Sequence, residues 1–139
     1  MSNMDTEKTL TTLAENAIKR LKRLPQPVVR VSGPLTSGGY GYEENLRRFI
    51  TAQQKLRAMG MTVYDYFEDN DDEQVIKNLE IKGDEVIRLY HQPILETGLI
   101  GTVYMLPNWE DSEGAKAEYD HFVSNDLNVH FIPEEWFVG

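Results

Sequence analysis

The sequence predicts an α/β fold in which a parallel sheet carries helices on both of its faces. Short apolar, β-branched runs alternate with longer stretches in which apolar residues recur every three or four positions. Neither an internal repeat nor a low-complexity linker interrupts this alternation. Strands that alternate with helices form parallel sheets. Ligands bind outside the carboxyl ends of the strands in such sheets, so the loops after the strands are the first candidates for a site.

Composition and charge narrow the class of protein. The chain has 139 residues, 40% of them apolar and 27% charged, which is typical of one soluble globular domain. Its net charge of −9 argues against binding to duplex nucleic acid, which requires basic surface. The absence of cysteine excludes disulfides and thiolate chemistry, and the spacing of His91, His121 and His130 fits no zinc motif. The acidic run at residues 68–73 lacks the central glycine of a calcium loop and is interpreted as solvated.

Hydropathy predicts no membrane partner. No apolar run approaches the roughly 20 residues of a membrane-spanning helix. The first residues lack the apolar segment of a signal peptide, so we expect a cytoplasmic protein.

Periodicity places the elements along the chain. Strands are predicted at residues 28–32, 61–66, 102–106 and 128–132, and helices at residues 5–24, 43–59, 72–79, 84–95 and 113–123. Pro93 is expected to end or kink the fourth helix near Gln92.

The two ends of the chain lie outside the central pattern of alternating strands and helices. We interpret residues 1–26 as an amphipathic helical extension that docks on the domain or on a partner chain, and residues 27–139 as the domain. A DNA-binding arm is the alternative interpretation of the basic cluster that ends this helix. The two large aromatics in residues 133–139 are expected to pack on the core or on another subunit.

The corner between the third strand and the last helix, Leu106–Glu118, is the strongest candidate site. Ser112 stands at the predicted N-cap, and Gly114 permits close approach of a ligand to the backbone. Free backbone N–H groups at a helix start bind anions, so Ser112, Gly114 and Ala115 are candidates to hold a phosphate. Glu118 lies one turn further along and can face the same crevice. Trp109 is interpreted as a wall of the pocket or a cover of the core.

A glycine-rich loop, residues 33–42, follows the first strand and is the second candidate. It matches neither the dinucleotide fingerprint nor a P-loop. Gly33 and Pro34 open it, and Tyr40 is a candidate to stack on a base or donate to a sugar; a packed surface aromatic is the alternative. Arg47 and Arg48, which follow in the next helix, can reach a phosphate or remain solvated.

Two motifs resemble the nucleoside 2-deoxyribosyltransferase-like superfamily, and most of all its small bacterial and bacteriophage members. They are the start at residues 31–36, VSGPLT, followed by Asn45, and the corner at residues 106–118, LPNWEDSEGAKAE. The resemblance covers roughly residues 28–133.

The resemblance implies a flavodoxin-like fold and an enzyme. Glu118 would be the nucleophile at C1′ of a nucleoside or nucleotide, which gives an N-glycosidase or a 2-deoxyribosyltransferase. Ser112 with the N–H groups of Gly114 and Ala115 would contact a phosphate, while Gly33 and Pro34 would line the pocket. This chemistry requires neither a metal nor an organic cofactor. Relatives commonly dimerise, so a homodimer or higher homo-oligomer is expected.

One position departs from the pattern of these relatives. They carry an aspartate before the third strand, where this chain has Gly101. Glu96, Asp84 or Glu85 is a candidate replacement. A non-catalytic protein that sequesters a nucleotide on the same fold is therefore the rival hypothesis, and a purely structural, oligomer-forming protein is the third.

Overall fold

A single four-stranded parallel sheet organises the chain. The computed structural model describes residues 3–35, 38–64 and 72–138. Its strands are β1 (Val28–Ser32), β2 (Thr62–Val63), β3 (Ile100–Met105) and β4 (Asn128–Phe131), arranged in the order β2-β1-β3-β4. This order and the flanking helices confirm the predicted flavodoxin-like α/β class.

Helices follow the strands as the periodicity predicts. They are α1 (Asn3–Lys22), α2 (Tyr42–Ala58), α3 (Asp72–Asn78), α4 (Gly83–Val86), α5 (Gln92–Glu96) and α6 (Glu113–Ser124), with short 3-10 turns at Trp109–Asp111 and Glu134–Phe137. β3 begins two residues before the predicted start at residue 102. The end of the predicted second strand, residues 65–66, and most of the acidic run, residues 68–71, lie outside the described residues. The described part of that run, Asp72 and Glu73, is buried and accepts hydrogen bonds from Tyr90 and Tyr42, so the interpretation of these two residues as solvated is wrong.

Alternation along β1 assigns its side chains to two different cores. Val29 and Val31 pack with α2 residues in one buried cluster, whereas Val28 belongs to the cluster on the opposite face. Because successive side chains of a strand point to opposite faces, Arg30 lies on the same face as Val28. This face also carries α1, α5 and α6.

The N-terminal helix is part of the core. Leu10, Ala14, Ala17 and Leu21 recur at helical spacing and are each at most 2% exposed. They share one buried cluster with the sheet residue Val103. Of the two partners expected for this helix, it therefore docks on its own domain.

Pro93 changes the helix without ending it. A π-helical turn, Ile87–His91, separates α4 from α5, and Pro93 follows at the second position of α5. Proline has no N–H and its ring clashes with the carbonyl four residues earlier, so a wider turn accommodates it. The expected kink is thus a π turn, whose last residue is His91.

The C-terminal aromatics pack on α2 of the same chain. The Arg48 guanidinium lies 3.2 Å from Glu134 and 4.9 Å from the centre of the Phe137 ring. Trp136 and Phe137 border the core cluster beneath α2. The prediction that this tail packs on the core is confirmed.

Within the part of the chain that the structure describes, no helix has both the length and the apolar character needed to cross a bilayer.

Truncation of α1 tests its place in the core. Leu21→Ala removes a fully buried side chain and is expected to lower the free energy of unfolding by about 2–5 kcal/mol in urea denaturation. Met59→Ala, at a site 60% exposed, is the matched control and should cost well under 1 kcal/mol. Equal costs for the two variants would mean that α1 is not docked as described.

Candidate functional site

A cavity opens where the strand order reverses. β1 pairs with β3, and the chain then crosses from β1 to β2 on one side and from β3 to β4 on the other. Connections that diverge in this way leave a crevice at the carboxyl ends of the two central strands. The cavity there measures about 910 Å³, the size of a small-molecule site.

Its lining combines apolar walls with several charges. The apolar residues are Val31, Leu35, Phe49, Ile76, Ile81, Val86 and Ile87. The charged residues are Arg30, Glu73, Lys77, Glu80, Asp84, Glu113 and Glu118. Of the residues predicted for the site, Gly33, Ser112, Gly114, Ala115 and Glu118 all line this one cavity.

Glu118 forms a buried ion pair. Its Oε1 lies 2.7 Å from Nη2 of Arg30, and the two side chains are 8% and 6% exposed. α6 supplies the carboxylate, and the middle of β1 supplies the guanidinium on the face of the sheet that α6 covers. The 5.1 Å distance from Arg30 to the centre of the Tyr64 ring adds a cation–π contact.

His91 completes the group around Arg30 as a neutral ring. Nδ1 of His91 lies 2.9 Å from Nη2 of Arg30. Since a guanidinium only donates, Nδ1 accepts and the ring proton resides on Nε2. Burial and the Arg30 charge lower the pKa of His91 well below its usual value of 6.5. The 4.0 Å separation of His91 from Glu118 is therefore not an ion pair.

A hydrogen-bond chain runs from the cavity to α1. Tyr90 donates to Asp72 at 2.6 Å, and Arg20 of α1 donates to the same oxygen at 2.8 Å. Because the Tyr90 proton is used in this way, Tyr64 donates to the Tyr90 oxygen 3.0 Å away. Burial raises the pKa of both Tyr64 and Tyr90, which keeps both phenols protonated.

A second wall is built on α3 and the start of α4. Tyr42 donates to both carboxylate oxygens of Glu73 at 2.9 Å, and Lys77 lies 3.6 Å from the centre of the Tyr42 ring. Burial, followed by the hydrogen bond to Glu73, raises the pKa of Tyr42 to about 12. Glu80 and Asp84 continue this wall at the exposed rim.

The start of α6 is capped as predicted. Ser112 Oγ accepts the Ala115 N–H at 3.1 Å, so this N–H is already engaged within the helix. A Cβ added to Gly114 would meet no atom closer than 3.8 Å, so packing does not require glycine there. At Gly33, by contrast, a Cβ would lie 2.7 Å from Leu106, and close packing explains the glycine.

Three predicted ligand residues lie away from this cavity. Pro34 and Tyr40 border a separate, much smaller crevice. The Tyr40 hydroxyl lies 2.6 Å from Asn108 Nδ2 and 3.1 Å from Glu134. Trp109 stacks on Tyr119, with ring centres 4.6 Å apart. These contacts tie the two loops to the tail and the last helix, and ligand contact by the three residues stays a prediction.

Asn45 holds the glycine-rich loop in place. Its buried side chain donates to the carbonyls of Leu35 and Gly38 and accepts the Tyr40 N–H, at distances of 3.0–3.1 Å. A Cβ at Gly39 would lie 2.5 Å from the Asn45 oxygen, and this residue also has a φ of +63°. Thr36 and Ser37 lie outside the described residues.

Sequence reasoning missed Arg30, His91 and Tyr64. One signal was available for Arg30, because an arginine inside the apolar run Val28–Ser32 demands a buried partner. No comparable signal existed for His91, whose position depends on the π turn. Among the described residues, His, Asp and Glu side chains form no group of three that could hold a metal ion.

The fold and cavity define an α/β protein with a ligand-sized site at its topological switch point. The chain belongs to the family described as domain of unknown function DUF4406, whose model matches residues 27–131. The matched segment begins just before β1 and ends with β4, so it contains the whole sheet. No curated protein and no solved structure matches the chain.

Acid tests the neutral state of His91. A depressed folded pKa means that the unfolded chain binds more protons below pH 6.5, so the stability linked to His91 is complete above that pH and falls as acid is added. His91→Asn keeps an acceptor for Arg30 but cannot titrate. Between pH 7.5 and 5.5 the wild type should lose about 1 kcal/mol more stability than this variant.

Urea denaturation at several pH values measures the difference. His130→Asn, which removes an exposed histidine stacked on Tyr104, is the matched control. Identical pH dependence in the wild type and His91→Asn would contradict the assignment.

The cap of α6 gives an independent prediction. Ser112→Ala removes the acceptor for the Ala115 N–H and should lower stability by about 1 kcal/mol. Ser124→Ala, at the other end of the same helix, serves as the control and should cause no loss. Thermal unfolding of both variants provides the measurement, and equal melting temperatures would refute the capping role.

Proposed function

We propose that this protein is an N-glycosidase or deoxyribosyltransferase that acts on a nucleoside or nucleotide through Glu118. The observation that carries the proposal is a buried carboxylate lining a ligand-sized cavity at the switch point of a parallel sheet. The corner motif, residues 106–118, and its resemblance to the nucleoside 2-deoxyribosyltransferase-like superfamily supply the reaction class.

The proposed chemistry follows the two steps of a retaining glycosidase. A Glu118 oxygen attacks C1′, the C1′–N bond breaks, and the bonding electrons leave with the base, which takes up a proton. The resulting glycosyl ester is then attacked by water, which gives hydrolysis, or by a second base, which gives transfer. Because Oε1 binds Arg30, attack is assigned to Oε2.

Two features of the cavity support this assignment. Gly114 leaves room beside the start of α6 that packing does not require, and a ligand can approach the backbone there. Asp84 is also placed at the cavity, whereas Glu85 pairs with Arg88 and Glu96 accepts a hydrogen bond from Gln92. Of the three candidates to replace the aspartate expected near Gly101, Asp84 is thus the best placed.

One observation favours the rival function, a nucleotide-binding protein without catalysis. The ion pair with Arg30 at 2.7 Å draws electron density from Glu118 and makes it a weaker nucleophile. If this loss of nucleophilicity extends to Oε2, the cavity binds a glycoside without cleaving it.

Base release with Glu118→Gln decides between the two functions. The protein is incubated with the common ribo- and deoxyribonucleosides and their 5′-monophosphates, and free base is measured by chromatography. Glutamine retains an acceptor for Arg30 but cannot form the ester, so we expect release to fall by more than about a thousandfold while binding persists.

The control changes a neighbouring carboxylate in the same way. Asp120→Asn alters an exposed residue of α6 that does not line the cavity and should keep most of the activity. Release that is equal in Glu118→Gln and the wild type would remove Glu118 from the mechanism. Ligand-dependent thermal stabilisation without any release would establish the binding protein.

A further inference from the structure

The charge distribution of the cavity indicates which glycosides it takes. Among the described residues, five carboxylates and two cations line it, and His91 beside them is neutral. The charges of Arg30 and Glu118 cancel each other. Glu113 pairs at 2.9 Å with Lys116, which does not itself line the cavity. The remaining charges are Lys77 and the carboxylates Glu73, Glu80 and Asp84, which together we name the α3–α4 wall.

The α3–α4 wall carries an excess of negative charge. Three carboxylates face one ammonium group there, and that group lies over the Tyr42 ring. A ligand between this wall and the strand ends therefore experiences a negative potential. A dianionic phosphate is repelled by it, and the Ala115 N–H at the start of α6 is already bonded to Ser112.

The other surfaces of the cavity favour a flat apolar ring. Val31, Leu35 and Phe49 line one side and Ile81, Val86 and Ile87 another. Apolar walls with a negative rim fit a ring that is both aromatic and positively charged. Attraction to such a charge persists at the partly exposed rim, although salt weakens it.

We infer, on the basis of the proposed function, that the cavity takes N-glycosides whose base is a positively charged heteroaromatic ring, in preference to neutral nucleosides and 5′-phosphorylated nucleotides. The site chemistry suits such a substrate. When C1′–N breaks, the electron pair neutralises the ring nitrogen, and the base leaves without needing a proton. Glu118 forms the ester to C1′, and water then hydrolyses it.

The O–H and N–H groups near Glu118 are consistent with a leaving group that needs no general acid. The Tyr64 hydroxyl donates its hydrogen bond to Tyr90, so it does not donate to a departing base. His91 carries a proton only on Nε2 and is not an imidazolium at neutral pH. A cationic base makes neither group necessary as an acid.

Three probes that share one ring separate the effects of charge. Nicotinamide riboside carries a positive ring, dihydronicotinamide riboside is its neutral counterpart, and nicotinamide mononucleotide adds a phosphate to the cation. Calorimetric titration at low ionic strength gives the three affinities. We expect the cationic riboside to bind at least about tenfold more tightly than the other two, and added salt to reduce this preference.

A matched pair of variants places the effect at the wall. Glu80→Lys reverses one exposed charge of the α3–α4 wall and should weaken binding of the cation about three- to tenfold, with little effect on the neutral probe. Glu15→Gln combined with Asp120→Asn changes the net charge equally at exposed sites outside the cavity and should leave the preference intact.

The outcomes separate this inference from the proposed function. Equal or tighter binding of the neutral probe or the mononucleotide overturns the cation preference, and so does an unchanged preference in the wall variant. If Glu118-dependent release of base from neutral nucleosides is then observed, the proposed function stands alone. Selective binding of the cation without release in any assay supports the preference and removes the glycosidase. If neither the three probes nor the common nucleosides and 5′-monophosphates bind or react, both the cation preference and the proposed function are overturned.

Discussion

Arg30 and Glu118 form a buried pair of opposite charges at the point where the strand order reverses. The arrangement of the surrounding site depends on this pair. Each alone would leave an uncompensated buried charge, a defect of roughly 3–5 kcal/mol. The pair requires β1 and α6 to lie close enough for Nη2 of Arg30 and Oε1 of Glu118 to meet at 2.7 Å. It also fixes the tautomer of His91 through the second proton on Nη2. The position of the candidate nucleophile is therefore set by a strand residue far from it in sequence.

Support for this pair extends across the face of the sheet that α1 covers. Tyr64 contacts Arg30 through its ring and donates a hydrogen bond to Tyr90. Tyr90 in turn donates to Asp72, which also accepts from Arg20 of α1. The helix that precedes the family-matched segment is thus connected to the cavity by a chain of hydrogen bonds. On the other face, Asn45 and the tail hold the glycine-rich loop, so both rims of the cavity rest on buried or packed groups.

Much of the fold could be predicted because it follows from local patterns. The period of the apolar residues identifies β1, α2 and α6 nearly to the residue, and the alternation of strands and helices implies a parallel sheet. Ser112 was recognisable as a cap because serine before an acidic, helix-forming run has few other roles. For Tyr40 and Trp109 the sequence left both a pocket wall and a packed aromatic open, and the structure adds their contacts with Asn108 and Tyr119.

The sequence by itself determined the class of fold, the two loops that flank the switch point and the carboxylate at residue 118, because each depends on spacing within a short segment. Only the tertiary structure decided which residues surround that carboxylate. Arg30 comes from β1, Tyr64 directly follows β2 and His91 ends a π turn, so their meeting depends on strand order and on the widened turn before Pro93. The excess negative charge of the α3–α4 wall lies within residues 73–84, and the tertiary structure decided that this segment lines the cavity.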